Sequence, residues 1–139
     1  MSVDSAGMAA RLGIKPGMVV QELGWDEDAD EDLRDAIIEA SGSEMVDEDT
    51  DEVADVVLLW WREDDGDLVD ALVDAIASLA DDGVVWLLVP KSGRPGHVEP
   101  GDVTEVAPTA GLQQTTSISA AKDWSGIRLV TPKAARSRR

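Results

Sequence analysis

Three short, continuous apolar runs decide most of what this chain can become. They are Met18-Val19-Val20-Gln21-Glu22-Leu23, Asp55-Val56-Val57-Leu58-Leu59-Trp60-Trp61 and Val84-Val85-Trp86-Leu87-Leu88-Val89. Each is bounded by turn residues or charges and is rich in β-formers. None alternates strictly between apolar and polar, which is the pattern of a strand covered on both faces. Two helical patterns separate them. Over residues 30–41, Leu33, Ala36, Ile37 and Ala40 share one face, acids crowd the first turn, and Gly42 suits the position just past the helix end. Over residues 67–80, Leu68, Ala71, Leu72, Ala75, Ile76 and Leu79 form the apolar face, and Asp67, Asp70 and Asp74 the wet one. Strand and helix in alternation require right-handed crossovers, so the predicted class is an α/β, three-layer Rossmann-like sandwich around a mainly parallel sheet.

The remaining segments complete that layout. Glu44-Met45-Val46 reads as a short extra strand after the first helix. A third helix is expected near residues 102–106, where Asp102 and Glu105 have capping-box spacing, and Pro108 makes it short or bent. Residues 112–119 and 127–131 read as two strands joined closely enough to be antiparallel, a C-terminal antiparallel strand pair on the sheet's edge. The organisation is therefore an N-terminal tail or short helix over residues 1–14, a single α/β domain over 15–131, and a flexible basic tail over 132–139 with no apolar residue larger than alanine.

Charge narrows the partners. The formal net charge is −17, and it is uneven. From Glu22 to Asp82 there are 24 acidic residues against two basic ones, Arg34 and Arg62, whereas from Lys91 onward eight basic residues face four acidic. Phosphate binding needs Lys and Arg to neutralise charge, so the acidic stretch disfavours nucleic acid and anionic membrane and favours a basic protein partner. No apolar run approaches membrane-spanning length, the first residues do not read as a secretory signal, and there are no cysteines for disulfides or thiolate metal sites. These features together point to a cytoplasmic protein. A single histidine, His97, in a Gly/Pro loop and read as exposed, excludes a histidine-based metal cluster. No phosphate-loop, dinucleotide or nucleophile-elbow motif is present.

The element order, with Val19-Val20-Gln21-Glu22-Leu23-Gly24 as first strand and turn, Leu79-Ala80-Asp81-Asp82-Gly83-Val84-Val85-Trp86 as helix-turn-strand and Ala110-Gly111-Leu112 through Val130 as closing hairpin, resembles a reduced class I S-adenosylmethionine methyltransferase fold. More narrowly, Leu12-Gly13-Ile14-Lys15-Pro16-Gly17, the stretch Asp82-Gly83 to Pro90-Lys91 and Asp123-Trp124-Ser125-Gly126 resemble an uncharacterised actinobacterial domain family. The methyltransferase resemblance implies a cofactor site built from Glu22, Gly24, Trp25 and Asp47. Glu22 takes the place of the first-strand acid, and Asp47 that of the acid that holds the ribose hydroxyls. The turn departs from the superfamily's pattern, however. Gly24 is followed by Trp25-Asp26-Glu27-Asp28, an indole and three acids where further glycines admit the cofactor.

A second candidate is a ligand rim of Trp25, Trp61, Arg62 and Lys91, since ligands of open α/β sheets bind outside the carboxyl ends of the strands. Such a rim suits a planar or anionic molecule, or a partner's side chain. Trp25 is expected to be at least half buried, plugging the crevice, while Arg62 and Lys91 are expected to be exposed. Trp60 and Trp86 read as core fillers. The leading functional expectation is a non-catalytic binding or regulatory protein that does not bind S-adenosylmethionine. The alternatives are a methyltransferase with an altered cofactor turn and an acidic decoy for a basic partner.

Overall fold

In a computed structural model, which describes residues 8–131, five strands form one sheet with helices on both faces. The strands are β1 (Val20–Leu23), β2 (Ala54–Trp60), β3 (Leu79–Pro90), β4 (Gln113–Ser119) and β5 (Trp124–Val130). The helices are α1 (Glu31–Ser41), α2 (Leu68–Ile76) and α3 (Pro100–Val106). The expected basic tail over 132–139 lies outside the described residues.

The three apolar runs become β1, β2 and β3, parallel neighbours with Glu22 beside Leu58 and Leu58 beside Trp86. The sheet continues with β5 antiparallel to β3 and β4 antiparallel to β5, in the order β1-β2-β3-β5-β4. It is therefore a mixed sheet, with as many antiparallel pairings as parallel ones, and not a mainly parallel one. The join between β4 and β5 is too short for a crossover, so β5 must run back against β4, and it then also closes the free side of β3. The extra strand expected at residues 44–46 is reduced to one parallel bridge from Val46 to Gln21.

Local rules set most helix ends. Asp30 caps α1 by accepting from the Leu33 amide at 2.8 Å, and Gly42, at φ 89°, closes it with an amide bond to the Ile38 carbonyl. Asp67 caps α2 through Val69 and Asp70 amides. The other end of α2 departs from the helical pattern, which ran to residue 80: the helix stops at Ile76 and the chain is already strand at Leu79. The cause is tertiary. The Ala54 amide donates to the Ser78 carbonyl at 2.7 Å and Ala54 pairs with Leu79, so the start of β2 draws this segment into the ladder. In α3 the proposed capping box is absent, because Pro100 occupies the first turn after Glu99 and places Asp102 inside the helix. Pro108 then opens a separate 3-10 turn, Pro108–Ala110, which is the expected break.

Each face of the sheet has its own core. On one, Val57, Leu59, Val85, Leu87 and Leu129 pack against Leu72 and Ala75 of α2 and Val103 of α3. On the other, Val20, Val56, Leu58, Trp60, Trp86 and Leu88 pack against Leu33, Ala36 and Ile37 of α1. A helical turn at residues 8–11 joins this second face. Ala9, Leu12 and Ile14 are all buried there, and Trp86 donates its indole N–H to the Leu12 carbonyl at 2.9 Å. The folded unit thus begins before Lys15, ahead of the boundary expected from the glycines.

Candidate functional site

The carboxyl ends of β1 and β2 meet the start of α1, and there the acidic stretch uses both of its basic residues. Glu22 points toward the α1 face, with its side chain 9% exposed. Arg34, one turn into α1, grips it with both arms: Nε to Oε2 at 2.6 Å and Nη2 to Oε1 at 2.8 Å. Trp60, at the end of β2, donates its indole N–H to the same Oε2 at 2.9 Å. Both carboxylate oxygens are thereby engaged by the chain itself. Arg34 also donates to Glu31 at 2.9 Å. The hydrogen bonds it donates to Glu22, opposed by partial burial, hold the Arg34 guanidinium even more firmly protonated than usual. The Arg34 and Trp25 hydrogen bonds hold the Glu31 carboxyl below the usual carboxylate range.

Gly24 ends β1 with φ 76°, and a Cβ there would overlap the Trp60 carbonyl oxygen. The glycine is needed for a left-handed turn laid directly on the neighbouring strand, a reason internal to the fold. Trp25 is 49% exposed. Its indole donates to Glu31 at 3.2 Å and lies 5.7 Å below the Arg34 guanidinium, so it rests on the first turn of α1 and does not plug a crevice.

Arg62 is 9% exposed, contrary to its expected place in solvent. It donates to the Gly24 carbonyl at 2.7 Å and the Trp60 carbonyl at 3.2 Å, forms a two-armed pair with Asp28, and contacts Asp65 at 3.3 Å. Burial works against its charge, but the hydrogen bonds and charges of Asp28 and Asp65 outweigh it and raise its pKa. The Arg62 hydrogen bond in turn lowers the Asp28 carboxyl below the usual range, against some desolvation. Below the guanidinium lies Trp124, 5.2 Å away, which donates to the Asp28 carbonyl at 3.2 Å and meets Trp60 edge-on at 4.9 Å. The acidic turn after β1 is thus fastened from beneath by an arginine and an indole.

The proposed rim does not converge. Trp25 faces Arg34, and Arg62 is bound under the turn. Trp61 is turned to the opposite core, as expected of neighbours on a strand. Lys91 is held through its backbone, its amide donating to the Asp123 carbonyl at 3.0 Å and its carbonyl accepting from the Arg94 amide at 3.1 Å. Asp47 caps its own loop, accepting from the Asp49 amide at 3.0 Å. His97 is partly covered, 2.9 Å from the Pro90 carbonyl. The residues that the sequence reading missed are Arg34 and Trp124. A signal for Arg34 was present: a cation that is one of only two among 24 acids has many partners to choose from and is well placed to be drawn inward. Trp124 stands in the Asp123-Trp124-Ser125-Gly126 motif, but nothing in that motif points to the turn after β1, 96 residues away.

Among the described residues, no group of three or more His, Asp or Glu is arranged to hold a metal ion, and no helix is long and apolar enough to cross a membrane. An open cleft of about 420 Å³ remains on the other face of β1, between Gln21 and Leu23, the connector at Glu48 and Asp49, and α2.

The model of a family described as "Protein of unknown function (DUF3052)" matches residues 9–133. The uncharacterized proteins Rv2239c of Mycobacterium tuberculosis and Mb2263c of Mycobacterium bovis are each 56% identical over 135 residues, covering 97% of this chain and 85% of theirs. Among solved structures, the pyocyanin biosynthetic protein PhzM superposes with a TM-score of 0.67 at 14% identity over 92% of this chain, which spans only 54% of that one. A SAM-dependent methyltransferase from Aquifex aeolicus superposes with a TM-score of 0.62 at 13% identity, covering 91% of this chain and 88% of that one. At such identities the likeness is one of fold.

Proposed function

Because this chain belongs to the DUF3052 family and shares a methyltransferase-like fold, we propose that it is a non-catalytic binding or regulatory protein built on that fold. The observation that carries the reading is the engagement of Glu22. The acid in the place that would face a cofactor has both oxygens taken by Arg34 and Trp60. Releasing it for a ligand would leave the Trp60 indole N–H unpaired and the Arg34 guanidinium with Glu31 alone, a cost of a few kcal/mol before any binding energy is gained. The turn supports the same reading. Gly24 is packed on the Trp60 carbonyl, and the following residues are held down by Arg62. These residues do not fit S-adenosylmethionine.

Isothermal titration with S-adenosylmethionine and S-adenosylhomocysteine tests this. No heat of binding is expected from either, and micromolar affinity for either would favour the rival reading, a methyltransferase with an altered turn. A second reading, a decoy for a basic partner, draws on the fate of the two cations of the acidic stretch. Both are spent internally on Glu22, Glu31, Asp28 and Asp65, so exposed acids of the stretch such as Glu39, Glu48 and Asp64 are left to present negative charge. Recovery of chiefly basic proteins from a native lysate, lost at high salt, is its expected signature, and recovery indifferent to salt argues against it.

A further inference from the structure

The cleft on the α2 face of β1 carries a polar group with no partner. Gln21 is 3% exposed, and its side-chain N–H donates to the Asp47 carbonyl at 3.1 Å. A carbonyl can only accept, so this bond fixes which end of the amide is which. The other end, Oε1, is buried and has no hydrogen-bond partner. An acceptor in that position needs a donor, and leaving it unmatched is costly.

What surrounds it says which donor. The cleft of about 420 Å³ is lined by Gln21 and Leu23 of β1, Leu59 of β2, Ala71 and Asp74 of α2, Ala77 and Ser78 just after it, and Glu48 and Asp49 of the connector. Its charged groups are all carboxylates, and Glu48, Asp49 and Asp74 take part in none of the ion pairs found among the described residues. The carboxylates are not arranged for a metal ion. The floor is partly apolar, with Leu59 4% exposed. Apart from the Ser78 hydroxyl, which can accept as well as donate, the side-chain groups free to bond here are acceptors, and such a site with an apolar floor suits an alkyl chain ending in a multi-donor cation. The stem covers Leu23 and Leu59, the head donates to Gln21 Oε1, and the carboxylates neutralise its charge.

We propose that this cleft binds an alkylguanidinium or alkylammonium group, supplied either by a small free cation or by an arginine or lysine side chain of a protein. The site lies on the opposite face of β1 from Glu22 and does not depend on the non-catalytic reading, since it stands whether or not S-adenosylmethionine binds elsewhere.

The test is NMR titration of the full chain, following the Gln21 side-chain amide and the backbone amides of Leu23, Ala71 and Ala77. One arm uses agmatine and the other a capped Gly-Arg-Gly peptide, both at constant ionic strength. Saturable shifts at these groups are expected in at least one arm, and the stronger arm identifies the source. Asp74→Asn, on the exposed side of α2, should weaken binding about fivefold, the scale of one solvent-exposed charge pair, while Asp70→Asn on the same helix outside the cleft leaves it unchanged. Gln21→Leu should abolish it. Because that variant also loses the bond to Asp47, the Asp74 pair keeps the test valid if it misfolds. Shifts absent in both arms, or equal losses for Asp74→Asn and Asp70→Asn, would overturn the proposal. Titration of S-adenosylmethionine moving only residues around Glu22 and Gly24 would instead count against the non-catalytic reading and leave this one intact.

Discussion

The indole N–H of Trp60 and the carboxylate of Glu22 meet at 2.9 Å across two neighbouring strands, on an oxygen that Arg34 already holds at 2.6 Å. This pairing makes the Glu22 carboxylate part of the protein's own support. Glu22→Ala should therefore lower stability by about 2–3 kcal/mol, since it leaves Trp60 and Arg34 without their shared acceptor. Glu22→Gln should cost less, because it keeps an acceptor for one of them. Urea unfolding of both variants checks this, and a Glu22→Ala variant as stable as the parent would mean that Glu22 is free for other work.

Gly24 is expected to tolerate no side chain. Gly24→Ala combines a left-handed conformation with overlap on the Trp60 carbonyl and should cost on the order of 3 kcal/mol. Gly13→Ala, with φ 83° and open space around it, serves as the control and should cost only about 1–2 kcal/mol. Thermal unfolding of the two separates packing from backbone conformation.

Arg62 and Trp25 reverse the order of importance that the sequence suggests. Arg62→Ala removes donors to two backbone carbonyls and leaves Asp28 unpaired, so it should cost about 3 kcal/mol. Arg62→Lys should recover little, because one ammonium cannot reproduce the two-armed pair with Asp28. Trp25→Ala, at a half-exposed indole, should cost no more than about 1 kcal/mol. Chemical denaturation of the three variants gives the ranking directly.

Acid should act through Asp28. Its folded-state pKa is lowered, chiefly by the Arg62 hydrogen bond, so its contribution to stability is present above the unfolded value and is lost as pH falls through the folded one. The stability advantage of the parent over Asp28→Asn should hold at neutral pH and shrink below about pH 4, the ordinary range for an aspartate. Glu31, lowered mainly by Arg34, should titrate in the same direction. Urea midpoints of parent and Asp28→Asn as a function of pH test the sign, and an advantage that grows on acidification would contradict it.

Much of the fold was legible because its determinants are local. The apolar runs at residues 19–23, 55–61 and 84–89 contain their own instruction to be covered on both faces, and they became β1, β2 and β3. Asp30 and Gly42 bracket α1 by bonds that reach three or four residues. The opposite orientation of Trp60 and Trp61 follows from the two-residue period of a strand. The candidate site was legible only in part. Glu22 and Gly24 are identifiable as the end of a strand and its turn, but their partners Arg34 and Trp60 are 12 and 38 residues from Glu22.

The sequence alone determined the three central strands, the two helices between them and the parallel direction of those strands. Hydrophobic period and capping are properties of a few adjacent residues and act before any long-range contact exists. Long-range packing settled where elements compete and where charges go. Leu79 and Ala80 could continue a helix, yet they join β3 because Ala54 offers Leu79 a ladder partner. Arg62 could have been solvated, yet it is buried because the Gly24 and Trp60 carbonyls and the Asp28 carboxylate converge on one point. The energy of a charge depends on every group within a few ångströms, and those neighbours are assembled only when the chain has folded.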